Sequence, residues 1–527
     1  MRWAYTAEQI RAAEQPLLAA GEPLMRRAAY GLAQHILRLL RARHSRVSGA
    51  TVAALVGKGN NGGDALWALA FLRRRGVHAV AIPVGADHGA DITAADLHAE
   101  GRDALLQAGG SMATHVPEDT AVVVDAIFGT GFRGSADVPT MLRDAGVTVP
   151  EHAVVVACDV PSGLNASTGE IPGVVLPADL TVTFGGLKTG LLLGEGPRVA
   201  GRVELIDVGL EPLLGETPTD QMVGVFEKDT SAPVGAVFAP PVWDAHKYSR
   251  GVIAISAGSP QYPGAAVLTV AAAVATGVGM VRWVGVTGDD GDDDSDMVSA
   301  GVVAAHPEVV AGHEADGRAD AWVLGPGWGT GENVHARYRQ VLDLAGQRGT
   351  PVVLDASALE LINHDDVARF AEIRRAGGAV VLTPHAGELG RLEERLLTEP
   401  GADDSHGRVD AVELWRARRM AAHVGAHVLL KGPTTVIAAP DGQARLDTTG
   451  GPELATAGSG DTLAGLVGSA LGRTLTKAGG GTLDTLDKIA AAVRLHALAG
   501  RRAQQHGPFG ASALAPAVRE VLAEVGE

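Results

Sequence analysis

A chain of 527 residues exceeds the size at which one hydrophobic core stops growing, so two or three domains are expected. Apolar residues make up 46% of it and are spread along its length, which argues against long disordered tracts, while a formal charge of −17 disfavours nucleic acid or an anionic membrane as the main partner. A single cysteine, Cys158, excludes an internal disulfide and a cysteine-rich metal site.

The start, Met1-Arg2-Trp3-Ala4-Tyr5, lacks the apolar run of a secretory signal. The alanine-rich stretch after Gly264 is broken by Thr269, Thr276, Gly277 and Gly279, so no membrane span is expected and the protein reads as cytoplasmic. Through the first 210 residues, β-rich apolar runs at 51–56, 78–84, 121–127, 153–158, 180–184 and 203–208 alternate with amphipathic stretches such as 65–75 and 91–108. That alternation predicts a parallel, doubly wound, Rossmann-like α/β sheet.

The first run enters Gly57-Lys58-Gly59-Asn60-Asn61-Gly62-Gly63-Asp64, after which a helix is expected. Glycines at the end of a first strand let backbone amides approach a phosphate, and the helix adds its positive end; a tight turn needing positive φ is the alternative. Two later runs also end in an acid and a loop. They are Val124-Asp125-Ala126-Ile127-Phe128-Gly129-Thr130-Gly131-Phe132-Arg133-Gly134-Ser135 and Cys158-Asp159-Val160-Pro161-Ser162-Gly163. Ligands of a parallel sheet gather at that end.

Over about residues 1–210 these three motifs resemble the NAD(P)H-hydrate epimerase domain family. The resemblance implies a potassium ion held by Asn61, Asp125 and Ser162, a chemically sensible oxygen set for a hard cation. It places substrate contacts at Asn60, Asn61, Gly62, Gly63 and Asp64, and at Gly129, Thr130, Gly131, Phe132, Arg133, Gly134 and Ser135. Asp159 would move a proton during inversion at C6 of the hydrated nicotinamide, with Lys188 as its partner. A surface lysine beside a sheet edge is the other reading of Lys188. Ala65 stands where the family commonly has glycine, which is harmless if Ala65 is already helical, and Cys158 reads as a packed small hydrophobe.

Prolines, glycines and polar residues around the apolar piece 222–226 mark a connection, dividing the chain into 1–212, a linker at 213–240, and 241–527. A second βα series follows, with strand-like runs at 251–257, 281–286, 321–324, 351–354, 379–382, 427–430 and 435–439. The acidic run 289–296 reads as a solvated loop rather than a metal site. Near the end, Ala455-Thr456-Ala457-Gly458-Ser459-Gly460-Asp461-Thr462 leads into an apolar helix. Its amides would face a developing negative charge and Asp461 could accept a proton, unless Asp461 is only a helix N-cap.

With Lys431-Gly432-Pro433-Thr434-Thr435, Thr383-Pro384-His385-Ala386-Gly387-Glu388, Gly325-Pro326-Gly327-Trp328-Gly329 and His246-Lys247-Tyr248-Ser249-Arg250, this segment resembles the ADP-dependent NAD(P)H-hydrate dehydratase family, of ribokinase-like fold. The resemblance implies ADP as phosphoryl donor, AMP and phosphate as products, and Mg2+ with the nucleotide. Lys431, Gly432, Pro433, Thr434, Thr435 and Gly460 would line the nucleotide site, with Ala265, Gly327, Gly329, His385 and Asp461 on the hydrated nicotinamide and Asp461 as general base. His385 could equally be a turn residue, and Glu388 either organises magnesium or favours a helix start. Ser357 replaces the acid or polar equivalent usual in the family, while Asp355 remains at a strand end.

The expected protein is thus a bifunctional isomerase and lyase that repairs NADHX and NADPHX, with small-molecule partners and a homo-oligomeric state. Two rivals stand beside it: a small-molecule kinase sharing the Gly-x-Gly-Asp device, and a dimerising, RNA-associated scaffold, which the acidic balance opposes.

Overall fold

The computed structural model describes residues 1–43, 47–85, 92–226, 230–286, 295–397, 411–473 and 483–525. Most of the acidic run 289–296 lies outside these described residues. The chain divides into two compact units between Met222 and Val223.

The N-terminal unit is built on a seven-stranded parallel sheet. Its spatial order is Ser111–Met112, His78–Pro83, Thr51–Val56, Thr120–Ala126, Val154–Cys158, Leu180–Phe184 and Arg202–Ile206. Order reverses beside Thr51–Val56, whose neighbours are His78–Pro83 and Thr120–Ala126, creating the switch point at which α/β sheets open a crevice. The alternation along that strand explains the two covering layers. Val52, Ala54 and Val56 pack against Leu32, Ile36, Leu66 and Leu69. Ala53 and Leu55 meet Val80, Ile82, Met141 and Leu142 on the other face.

The helix Leu24–Arg43 buries Ala29, Leu32, Ala33, Ile36, Leu37 and Leu40 at three- and four-residue spacing and ends with Arg41 and Arg43 in its last turn. Each large apolar side chain so buried contributes about 1.5–3 kcal/mol, and truncating Leu66 or Ile36, both wholly buried, would cost about 2–5 kcal/mol. A short parallel pairing of Arg2–Tyr5 with Leu187–Lys188, which the composition did not foretell, carries Lys188 into the interior.

The second unit holds a mixed sheet in the order Val310–Gly312, Met280–Val284, Val252–Ser256, Ala321–Leu324, Val352–Leu354, Val380–Leu382, His427–Leu430, Thr435–Ala438, Ala444–Asp447 and Val223–Val225. All neighbours are parallel except around Thr435–Ala438. The 213–240 stretch is not structureless: Val223–Val225 pairs with Ala444–Asp447, and short helices occupy Glu211–Leu214 and Ala232–Val237. At the centre of the unit the helix Ser459–Leu471 lies against Pro263–Ala275 and the sheet. Gly468 is so close to Val323 that a Cβ there would sit 2.3 Å from its side chain. Among the described residues, no helix is long and apolar enough to cross a membrane.

Candidate active sites

In the N-terminal unit a cavity of about 560 Å³ opens at the carboxyl end of the sheet, walled by Gly57–Asn61, Asp64, Ile127–Phe132, Asp159, Phe184 and Lys188. The first strand's loop can cross there only because residue 57 is glycine; a Cβ would fall 2.0 Å from the Ile127 carbonyl oxygen. The helix begins at Asn60, with Gly59 as its N-cap, and not after Asp64 as the sequence led us to expect. Asn60–Gly62 therefore form its first turn, where backbone amides lack intrahelical partners, and Ala65 is helical and buried.

Asn61, Asp125 and Ser162 are brought together and buried. Ser162 Oγ donates to Asp125 Oδ1 at 2.5 Å and its backbone N–H donates to Oδ2 at 2.8 Å, while Asn61 Nδ2 donates to the Phe128 carbonyl oxygen at 2.8 Å. Burial pushes the Asp125 carboxyl up, against hydrogen bonds from Ser162 and the Ile127 amide. A fully buried carboxylate beside hydroxyl, amide and carbonyl oxygens is a donor set that suits a hard monovalent cation. Among the described residues no group of three His, Cys, Asp or Glu could hold a metal ion, so the set does not resemble a transition-metal site.

Asp159 follows the strand Val154–Cys158 with φ of 66°; it and Ala356 are the two non-glycine residues with positive φ among those described. The conformation aims its carboxylate back at the next strand. Oδ1 accepts from Lys188 Nζ at 2.5 Å, Thr183 Oγ1 at 3.0 Å and the Phe184 amide at 3.1 Å. Lys188, 1% exposed, also donates to the Phe184 carbonyl oxygen at 2.7 Å, so the reading of it as a surface lysine is wrong. Cys158 is wholly buried and burial raises its thiol well above the ordinary range, as suits an inert packed residue.

Two features escaped the sequence reading. The helix Ala7–Ala19, opened by a capping box of Thr6 and Gln9, lays Ile10, Arg11 and Glu14 along the cavity. Phe128 and Phe132 stack with ring centroids 4.2 Å apart on its rim. The capping box was legible; which face of the helix meets the sheet was not. Gly129, Thr130, Gly131 and Phe132 line the cavity, whereas Arg133, Gly134 and Ser135 are not among its walls, and Ser135 Oγ donates to the Pro172 carbonyl oxygen at 2.9 Å.

In the second unit Gly458, at φ 87°, turns the chain into the helix Ser459–Leu471. It is the N-cap, and Asp461 sits in the first turn without a capping bond, so the N-cap reading of Asp461 is replaced by a carboxylate free for other work. Burial, then the charge of Asp355, pushes Asp461 up to about 6 against the pull of Lys431. Lys431 Nζ donates to Asp355 Oδ1 at 2.9 Å and lies 3.9 Å from Glu388 Oε2. A Cβ on Gly460 would meet that ammonium at 3.4 Å. Burial alone would lower the Lys431 ammonium, yet Asp355, Glu388 and Asp461 together raise it.

Asp355, 1% exposed, also accepts from Thr383 Oγ1 at 2.7 Å. Ser357, the departure from the family, donates to the Trp328 carbonyl oxygen at 2.9 Å and so ties down the Gly327–Gly329 loop. Gly327, at φ 63°, packs on Ala265, whose Cβ a side chain there would meet at 2.4 Å. His385 is the N-cap of Ala386–Leu396, its Nδ1 accepting from the Gly387 amide at 3.0 Å while the His385 backbone N–H donates to Glu388 Oε2 at 2.8 Å. Both residues thus have a helix-start role, and Nε2 of the exposed His385 ring lies 3.6 Å from Glu388 Oε1. A buried contact unseen in the sequence sits below Asp461: Ser459 Oγ lies 3.1 Å from His496 Nε2, and burial lowers His496 to about 4, leaving it neutral.

Residues 253–520 match the family described as NAD(P)H-hydrate dehydratase, and 21–190 match the one described as YjeF-related protein N-terminus. The chain is 40% identical over 481 residues to the bifunctional NAD(P)H-hydrate repair enzyme Nnr of Mycobacterium tuberculosis, covering 89% of each chain. It is 39% identical over 484 residues to that of Mycobacterium leprae, covering 91% of each. Among solved structures it is similar to an ADP/ATP-dependent NAD(P)H-hydrate dehydratase from Bacillus subtilis, co-crystallised with ATP and Mg2+, at 25% identity and TM-score 0.44 over 56% of this chain and 97% of that one. This chain belongs to the family of bifunctional NAD(P)H-hydrate repair enzymes.

Proposed function

We propose that the chain repairs NADHX and NADPHX in the cytoplasm, the N-terminal unit interconverting the R and S forms at C6 and the C-terminal unit dehydrating the S form with ADP. The observation that carries this reading is that each unit gathers its own lysine and aspartates, Lys188 with Asp159 in one and Lys431 with Asp355 and Asp461 in the other.

In the epimerase site, Asn60, Asn61, Asp64 and Gly129–Phe132 line the cavity that would hold the substrate, Gly62 and Gly63 pack behind them, and Asp159, fixed by Lys188, Thr183 and the Phe184 amide, moves a proton during inversion at C6. Asn61, Asp125 and Ser162 are the residues that would hold potassium, which when bound supplies a fixed positive charge at the end of the sheet.

In the dehydratase site, ionised Asp461 takes the proton of the C6 hydroxyl as that oxygen attacks the β-phosphorus of ADP and AMP departs. Phosphate then leaves C6 as the N1 lone pair moves in, and loss of a C5 proton restores the dihydropyridine. Lys431 to Thr435 and Gly460 hold the nucleotide, while Ala265, Gly327, Gly329 and His385 hold the hydrated ring. Mg2+ would neutralise the phosphates, with Glu388 beside it. A homo-oligomer completes the proposal.

The test is a pair of isosteric variants. Asp461→Asn is expected to lower ADP-dependent dehydration by roughly 10²–10⁴-fold while sparing epimer interconversion, and Asp159→Asn to do the reverse. An Asp461→Asn protein that regenerates NADH at the unmodified rate contradicts the assignment.

A further inference from the structure

The epimerase cavity holds more acid than the roles above use. Glu14 and Asp64 line the same cavity as Asp159; of the cations that also line it, Lys188 is bonded to Asp159 Oδ1 and to the Phe184 carbonyl oxygen, Arg11 is bonded to the Ala7 carbonyl oxygen and pairs with Glu8, and Lys58 is exposed. Three carboxyls that share the cavity with a single buried ammonium cannot all carry charge cheaply. Asp64 is fixed on a rigid element, near the start of a helix whose neighbouring Leu66 and Leu69 are buried to 1% exposure or less.

We propose that Asp64, as a neutral carboxylic acid, is the second proton-transfer residue of the epimerase, working opposite the Asp159 carboxylate. This rests on the epimerase reading above and assigns the proton donor that reading lacks. Asp159 Oδ1 takes its three protein donors, leaving Oδ2 to accept from a ligand. Oδ2 accepts the C6 hydroxyl proton, the C6–N1 bond breaks with its electron pair going to N1, and C6 becomes an aldehyde carbon. Asp64 gives its proton to N1 in the same step. After rotation about the C5–C6 bond, N1 attacks the other face of the aldehyde, returning its proton to Asp64 while Asp159 returns the other to oxygen. Atoms and protons balance, and both residues end as they began.

Burial first, then the charges of Asp159 and Glu14, holds the Asp64 carboxyl well above its ordinary range, with Lys188 acting against them. Glu14 is itself raised, chiefly by burial. The other ionisable groups around Asp64 are Arg11 on the first helix, Lys58 on the preceding loop, Cys158 on the strand below, and His98, which packs at Gly63.

The experiment follows interconversion of the purified epimers by chromatography, without ADP, across pH in the full-length protein. ADP-dependent dehydration by the same preparation shows that the C-terminal unit is intact, and the circular dichroism spectrum and thermal melt of each variant check the fold of the N-terminal unit. Asp64→Asn is expected to lower the interconversion kcat at least 100-fold, to change KM less than threefold, and to abolish the alkaline fall in rate that marks loss of the Asp64 proton. Asp64→Glu should recover part of the rate. Glu14→Gln removes a neighbouring negative charge, so it should shift the alkaline limb to lower pH. An Asp64→Asn protein within threefold of the unmodified rate, or one that keeps the same alkaline limb, overturns the proposal. An unmodified protein unable to interconvert the epimers overturns the epimerase reading instead.

Discussion

The two sites use the same parts in different arrangements. Each has a helix start, a lysine bonded to an aspartate and further carboxyls, but in the first Lys188 is wholly buried and held by Asp159 and the Phe184 carbonyl oxygen. In the second, Lys431 reaches beyond Asp355 to within 3.4 Å of where a Cβ of Gly460 would sit, at the helix start. A lysine locked between a carboxylate and a carbonyl oxygen positions a proton-transfer group; a lysine that reaches a helix start meets phosphate. The sequence strings Asn-Asn-Gly-Gly-Asp and Gly-Ser-Gly-Asp look alike, and only what surrounds them separates the chemistries.

That contrast can be broken first at Lys431. Lys431→Met is expected to lower ADP-dependent dehydration by about 10²–10³-fold, because a charged clamp on the transferring group is lost, and to leave epimer interconversion untouched. The measurement is initial rates of both activities on one preparation. Replacing potassium with a bulky organic cation, or changing Asp125→Asn, should act on the other site alone, slowing interconversion by about 10–100-fold with dehydration unchanged.

The pH profiles sharpen the difference. Asp461 must be ionised to act as a base and is pushed up to about 6, so dehydration kcat should be fully present above that pH and fall about tenfold per unit below it. Losing Lys431 removes a charge that lowers Asp461, so any residual Lys431→Met activity should have its acid limb displaced to higher pH. The smallest effect expected is on stability. Gly458→Ala places a side chain at φ 87° and 2.4 Å from Leu268, costing about 1–3 kcal/mol, read as a lowered melting temperature.

Much of the architecture was legible because the central strands are short, β-branched and bounded by glycine. Thr51–Val56, Leu180–Phe184, Ala321–Leu324 and His427–Leu430 fall where their apolar runs do. Strands such as Val223–Val225 and Ala444–Asp447 were missed because their pairing, not their composition, makes them strands. The motif acids Asp125, Asp159 and Asp461 stood out at strand and helix ends. Glu14, by contrast, is one acid on an ordinary amphipathic helix until the fold turns it into the cavity. Lys188 was ambiguous for a similar reason, since the short pairing of Leu187–Lys188 with Arg2–Tyr5 joins segments far apart in sequence. The positive φ of Asp159 and the contact of Ser459 with His496 are likewise products of tertiary packing.

The most direct test of two cooperating centres on one chain is to incubate an equal mixture of R and S hydrated NADH with the protein, with and without ADP, and to follow each species by chromatography. The account predicts that without ADP the epimers interconvert at constant total hydrate. With ADP, all of the hydrate returns as NADH with one AMP and one phosphate for each molecule repaired. NADH that stops at the S fraction beyond spontaneous epimerisation, or no ADP-dependent NADH at all, would contradict it.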